Sequence, residues 1–188
     1  MINIALDGPA GSGKSTVAKK IANELNILYL DTGAMYRACA LKCLLSGVNV
    51  KDEKAVGNLM KNIDVRVEYK DGSQITLLDG KDVSKDIRLP EVSMLASDVS
   101  AHKTVREKMV ELQRRVAKSM DCVLDGRDIG SYVLPDAKFK YFITADSKQK
   151  MLDKKLAEID APDRSARTLG FSFGEVEPTG NEVLNVRG

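Results

Sequence analysis

The sequence predicts a three-layer α/β sandwich: a central parallel sheet between helices, with an inserted lobe carrying a small antiparallel hairpin. Three observations point there. An apolar run at residues 2–6, a glycine-rich turn, a helical stretch and a second apolar run at 27–30 follow one another within about 30 residues, the length of one strand-helix-strand unit. Two further short apolar runs, at 122–124 and 139–144, come after a long helical segment, as further strands of a buried sheet would. Between residues 30 and 122 the hydrophobic period changes from helical to two over Val65 to Leu77, which puts an antiparallel element inside a parallel pattern.

Taken in order, residues 2–6 are a strand feeding a tight turn. Val17, Ile21, Ala22 and Leu25 recur at helical spacing with Lys19, Lys20 and Glu24 on the other face, so a helix starts near Lys14. Residues 27–30 are the second strand. Residues 34–45 are helical and stop at Gly47, and residues 52–63 form another helix opened by Asp52 as an acidic N-cap. Val65, Val67 and Tyr69 alternate with Arg66 and Glu68, Asp71-Gly72 supplies a turn, and Ile75 and Leu77 begin the returning strand. The inserted lobe is thus residues 33–100. Val105, Met109, Leu112 and Val116 stripe a long helix whose outer face carries Arg106, Lys108, Arg114 and Arg115. Residues 122–124 return to the sheet, 125–130 are a loop and 139–144 the next strand. Beyond Asp146 the pattern weakens: residues 150–159 read as a helix, and 170–188 as a loosely ordered tail.

Composition narrows the function classes. Apolar residues make up 43% and charged residues 30%, which excludes a disordered or collagenous chain. The 29 basic and 27 acidic residues leave a net charge of +2, too small a field to gather nucleic acid or an anionic membrane, so any phosphate ligand must be held locally. The first residues carry no basic leader and no apolar stretch near the ~18 residues of a spanning helix. A cytoplasmic monomer with neither nucleic acid nor membrane as partner is the expectation. Cys39, Cys43 and Cys122 are odd in number and lack C-x-x-C spacing, so buried reduced thiols are favoured over disulfides or a zinc site.

Gly8-Pro9-Ala10-Gly11-Ser12-Gly13-Lys14-Ser15, followed by Thr16, fits G-x-x-x-x-G-K-[ST] at every fixed position and lies between a predicted strand and a predicted helix. This is a P-loop. Its glycines let backbone N–H groups ring a phosphate at the positive end of the helix, Lys14 reaches the β and γ phosphates, and the Ser15 hydroxyl holds Mg²⁺. The ligand is a nucleoside triphosphate. A switch GTPase would read guanine through N-K-x-D, and Asn49-Val50-Lys51-Asp52 has the wrong order. Asp31-Thr32-Gly33-Ala34-Met35-Tyr36-Arg37 follows the second strand at the carboxyl edge of the sheet and offers a hydroxyl and an arginine for a second anion. Asp125-Gly126-Arg127-Asp128 ends a third apolar strand on the same edge. Arg127 can pair with phosphate, while the flanking acids could hold magnesium or a base edge, or merely neutralise the arginine.

With these motifs the chain resembles the bacterial cytidylate kinases, P-loop nucleoside monophosphate kinases. Residues 8–16, 30–37, 96–101, 105–107 and 125–130, and Val133-Leu134-Pro135-Asp136-Ala137, stand where that family has its motifs, and the match covers residues 2 to about 147. The resemblance implies a P-loop NTPase fold spanning 1–188 as a single kinase domain, with 33–100 as the monophosphate-binding lobe. It implies transfer of the ATP γ-phosphoryl group to CMP or dCMP with Mg²⁺. By the same resemblance Thr32, Arg37 and Arg127 grip the monophosphate, Ser97, Arg106 and Asp128 read the base, and Lys14, Arg37 and Arg127 surround the transferring group. After Thr144 the chain departs from the family pattern: Lys148, Lys150, Lys154 and Lys155 replace expected arginines, and Asp163-Arg164-Ser165-Ala166-Arg167 is a shifted echo of the ribose-contacting pair. Residues 146–188 thus read as a degenerate lid and tail. Two rivals stand beside this reading, a P-loop kinase for another small acceptor and a nucleotide-binding module with impaired turnover.

Overall fold

The computed structural model describes residues 1–70 and 73–144, and the backbone of 183–187. Five strands, β1 (Asn3–Asp7), β2 (Leu28–Asp31), β6 (Cys122–Asp125), β7 (Phe139–Thr144) and β8 (Val183–Arg187), form an all-parallel sheet in the order β2-β6-β1-β7-β8. Side chains alternate across this sheet and so build two cores. Ile4, Leu6, Val123 and Ile143 point to α1 (Lys14–Leu25) and meet its Ala18 and Ala22, whose small side chains let the helix lie close. Ala5, Leu30, Cys122 and Leu124 point the other way into a larger core shared with α2 (Thr32–Leu45), α4 (Pro90–Ala101) and α5 (Lys103–Ser119). Helix, sheet and helices are the three expected layers.

Between α2 and α4 come α3 (Glu53–Lys61), whose N-cap Asp52 accepts from the Ala55 N–H, and an antiparallel sheet of β3 (Val65–Lys70), β4 (Ser73–Leu78) and β5 (Lys81–Asp82). The β3 and β4 strands pair from Val65 opposite Leu78 to Lys70 opposite Ser73. Val65, Leu78 and Val83 join the same buried cluster as Leu30 and Leu124, so the antiparallel sheet has no core of its own and packs on the α2 side of the parallel sheet.

Four local expectations change. The hairpin gains the third strand β5, only two residues long and too short to leave a period. Residues 125–130 are not wholly loop, because a helical turn begins at Ile129 and runs to Val133. On α5 the buried residues are Val105, Met109, Val110, Gln113 and Ala117, with Leu112 and Val116 only packed against the core, so the inward stripe is rotated and includes a glutamine. Residues 183–187, expected in a loose tail, pair with Lys140 to Thr144 of β7. An open parallel edge supplies hydrogen bonds to any extended backbone, a template absent from the local sequence. The Asp71-Gly72 turn, the helix at 150–159 and the lid residues from Lys148 to Arg167 lie outside the described residues.

All three cysteines are buried and unpaired. Burial pushes the Cys39 and Cys122 thiols up to about 12 and raises that of Cys43. The thiolate is the reactive form, so iodoacetamide at pH 8 is expected to label none of them in the folded protein and all three in denaturant. Rapid labelling of native protein, read by mass spectrometry, would contradict this packing.

Candidate active site

The carboxyl ends of β1, β2 and β6 bring three loops to one edge of the sheet. The first is the P-loop. Gly8 has φ +147°, and a Cβ there would come within 2.1 Å of the Ile143 carbonyl oxygen, so only glycine lets the chain pass between β7 and the loop. Gly11 and Gly13 also have positive φ, and α1 starts directly at Lys14. Lys14 Nζ folds back over the loop and donates to the Pro9 carbonyl at 2.7 Å. Ser12 Oγ is buried and has no hydrogen-bond partner among the described residues, an orphan of the kind a bound anion satisfies.

Ser15 Oγ donates to Asp125 Oδ2 at 2.6 Å, joining the start of α1 to the end of β6. The Tyr29 hydroxyl donates to the same oxygen at 3.3 Å. Burial holds the Asp125 carboxyl above the usual carboxylate range, with the Ser15 hydrogen bond opposing, and Asp125 forms no ion pair among the described residues.

The second loop opens α2. Asp31 is its N-cap, Oδ1 accepting from the Ala34 N–H at 2.9 Å, while Oδ2 takes both Arg37 at 3.0 Å and Arg88 at 2.8 Å. Gly33 leaves the room this needs, since a Cβ would stand 3.0 Å from the Arg37 guanidinium. Arg37 Nε is buried without a partner among the described residues. Thr32 is buried, and its hydroxyl donates to the Asp125 carbonyl at 2.6 Å, tying α2 to β6.

The third loop leaves β6. Arg127 is exposed, and neither flanking acid neutralises it: Asp125 is engaged by Ser15, and Asp128 pairs with the Arg106 guanidinium from α5. That guanidinium also faces the Tyr132 ring at 5.5 Å, and the Asp128 contact raises its affinity for its proton. Tyr36 stands beside the pair, its hydroxyl pushed up first by burial, with Arg106 opposing and Asp128 adding. Ser97 is exposed on α4, and its hydroxyl makes no hydrogen bond among the described residues.

Of the residues singled out from sequence, Gly8 to Thr16, Thr32, Arg37, Arg127 and Asp128 thus gather on one sheet edge, and Arg106 reaches them from α5. Arg88, Tyr36 and Tyr132 were missed as neighbours of these groups. Arg88 lies 57 positions from Asp31, and no local pattern marks it.

A family model for cytidylate kinase matches residues 4–164. The chain is 50% identical over 149 residues to the cytidylate kinase of Caldicellulosiruptor saccharolyticus, covering 79% of this chain and 66% of that one. It is 50% identical over 157 residues to that of Lactobacillus johnsonii, covering 81% and 68%. The match to that of Symbiobacterium thermophilum is 48% over 164 residues, covering 87% and 72%. The chain therefore spans about two thirds of the length of these relatives, and the matched stretch contains all three loops; it belongs to the cytidylate kinase family.

Proposed function

We propose that this chain transfers the γ-phosphoryl group of ATP to CMP or dCMP, giving ADP and CDP or dCDP. The Arg106–Asp128 pair carries the reading. Cytosine offers an N4 amino donor beside the N3 and O2 acceptors, so a carboxylate and a guanidinium side by side complement it. Uracil presents its O4 acceptor to the carboxylate, and that unpaired contact is the basis of discrimination. Ser97 completes the base contacts, and the lobe at 33–100 closes the monophosphate side.

Arg37, Arg127 and Thr32 hold the monophosphate, with the unpartnered Arg37 Nε supporting this role. Residues Gly8 to Thr16 hold the ATP phosphates, with the orphaned Ser12 hydroxyl as support. A nucleotide phosphate has its second pKa near ~6, so the attacking oxygen is already an anion at pH 7 and no general base is needed. His102, the one histidine, is instead hydrogen-bonded through Nε2 to the Val50 carbonyl at 2.6 Å. As the attacking oxygen bonds to the γ-phosphorus, the bond to the β–γ bridging oxygen breaks and ADP leaves. Lys14, Arg37 and Arg127 align and neutralise the transferring group.

The residues present fit Mg²⁺: Ser15 Oγ and Asp125 Oδ2 are hard oxygens side by side, and a buried carboxylate without an ion pair favours a dication. Bound there, the ion would neutralise charge on the phosphates. A monomer in a reducing cytoplasm, acting on free nucleotides, is consistent with the unpaired thiols and the near-neutral charge. Among the described residues no helix is long and apolar enough to cross a membrane.

The test is coupled ADP release with CMP, dCMP, UMP, AMP and small alcohols, beside calorimetric CMP binding. Cytidine monophosphates are expected to exceed UMP in kcat/KM by about tenfold or more. Preference for another acceptor would overturn the reading, and tight CMP binding without ADP release would favour the binding module instead.

A further inference from the structure

One acid on the same edge has no part in the chemistry above. Asp7, the last residue of β1, directs its carboxylate away from the P-loop that follows it and into the third loop. Oδ1 accepts from the Ile129 N–H at 2.7 Å and Oδ2 from the Gly130 N–H at 2.8 Å. The preceding residue acts on the same loop, since the Leu6 carbonyl accepts from the Gly126 N–H at 2.9 Å. Two consecutive residues of a buried strand therefore hold the loop at both of its ends, and the residues spanning the gap are Arg127 and Asp128. The helical turn that follows is fastened as well. The Asp128 carbonyl accepts from Tyr132 and Val133 at 2.9 and 3.1 Å, and Arg114 donates to the Val133 and Tyr132 carbonyls at 2.8 and 2.7 Å.

We propose that Asp7 is a positioning residue for nucleobase selection: its carboxylate fixes the loop so that Asp128 meets Arg106 and presents its free edge to the base. The proposal rests on the cytidine reading above and assigns it a determinant outside the base pocket. A rigid central strand suits this task, because a loop held at a single end would let the Asp128 carboxylate move by more than a hydrogen bond tolerates. Two ionised acceptors on two adjacent N–H groups also cannot be reproduced by an amide, which offers one acceptor and turns a donor toward the other N–H.

The test is calorimetric binding of CMP, UMP and ATP to the unaltered chain, Asp7→Asn and Gly130→Ala. The second variant leaves Asp7 in place but adds a Cβ 3.3 Å from its Oδ2 and 3.2 Å from the flexible Lys140 side chain, and so disturbs the same tether by a few tenths of an ångström. Asp7→Asn is expected to lower CMP affinity and the CMP:UMP ratio by about fivefold to tenfold, from one lost charge-assisted bond, with ATP affinity unchanged. Gly130→Ala shifts the ratio the same way by less, and decides the matter if Asp7→Asn does not fold. A ratio unchanged in the folded variants overturns the proposal, as does ATP affinity falling in step with that for CMP. If the unaltered chain does not prefer CMP over UMP, the cytidine reading itself fails and the proposal falls with it.

Discussion

Lys14→Ala is expected to lower kcat for phosphoryl transfer by about 10²- to 10³-fold while CMP affinity stays as it was. The magnitude is that of removing one preorganised electrostatic group from a site where charge develops. The division between the two substrates follows from the fold. Lys14 is the first residue of α1 and its ammonium lies over the P-loop, against the Pro9 carbonyl. The proposed CMP contacts come from α2, α4, α5 and the loop after β6; α2, α5 and that loop are held by Asp31, Tyr132 and Asp7, and none of the four starts from the lysine. Lys14 is half-buried at a helix start and belongs to neither core, so its substitution should change thermal stability little. Steady-state kinetics beside calorimetric CMP binding measure both halves. Near-native turnover would mean that the loop does not hold a triphosphate in the assumed manner, and a parallel loss of CMP affinity would mean that the two sites are not separate.

Asp128→Asn is expected to reduce the preference for CMP over UMP, as a ratio of kcat/KM, by about tenfold or more, since one mispaired buried contact costs ~1 to 3 kcal/mol. An amide can donate to uracil O4 as well as accept from cytosine N4, so the change admits uracil besides weakening cytosine. The structure adds a second reason. Asp128 is the partner that holds the Arg106 guanidinium over the Tyr132 ring, and losing the charge frees the arginine from one of its two restraints. Stability should be nearly unaffected, because the pair is partly exposed and such ion pairs contribute about 0 to 1 kcal/mol. A selectivity change without a matching fall in melting temperature is therefore the signature. An unchanged ratio would place Asp128 in service of Arg106 or the loop alone.

These two predictions differ in how far the sequence supports them. The P-loop could be read directly, because its chemistry is confined to eight consecutive residues and its backbone demands glycine at fixed places. The base-reading pair could not. Arg106 and Asp128 are 22 positions apart on a helix and a loop, and only likeness to a family joined them before the structure did. Thr32 shows a further limit: beside the phosphate role proposed for it, its hydroxyl ties α2 to the backbone of β6 across 93 positions, a contact that no local pattern marks.

What the sequence determined by itself is what local physics determines. Apolar period, glycine placement and caps specify β1, the P-loop, α1 and the β3–β4 hairpin, since each rests on interactions between residues near in the chain. Tertiary structure alone decided the rest. The strand order β2-β6-β1-β7-β8 places three loops distant in sequence on one edge, and the open side of β7 makes a strand of residues 183–187. Asp31 collects Arg37 and Arg88, and Asp7 reaches across 122 positions to Ile129. Side chains so far apart meet only when burial of the sheet on both faces fixes the registers of β1, β2 and β6, and that burial is a property of the whole core.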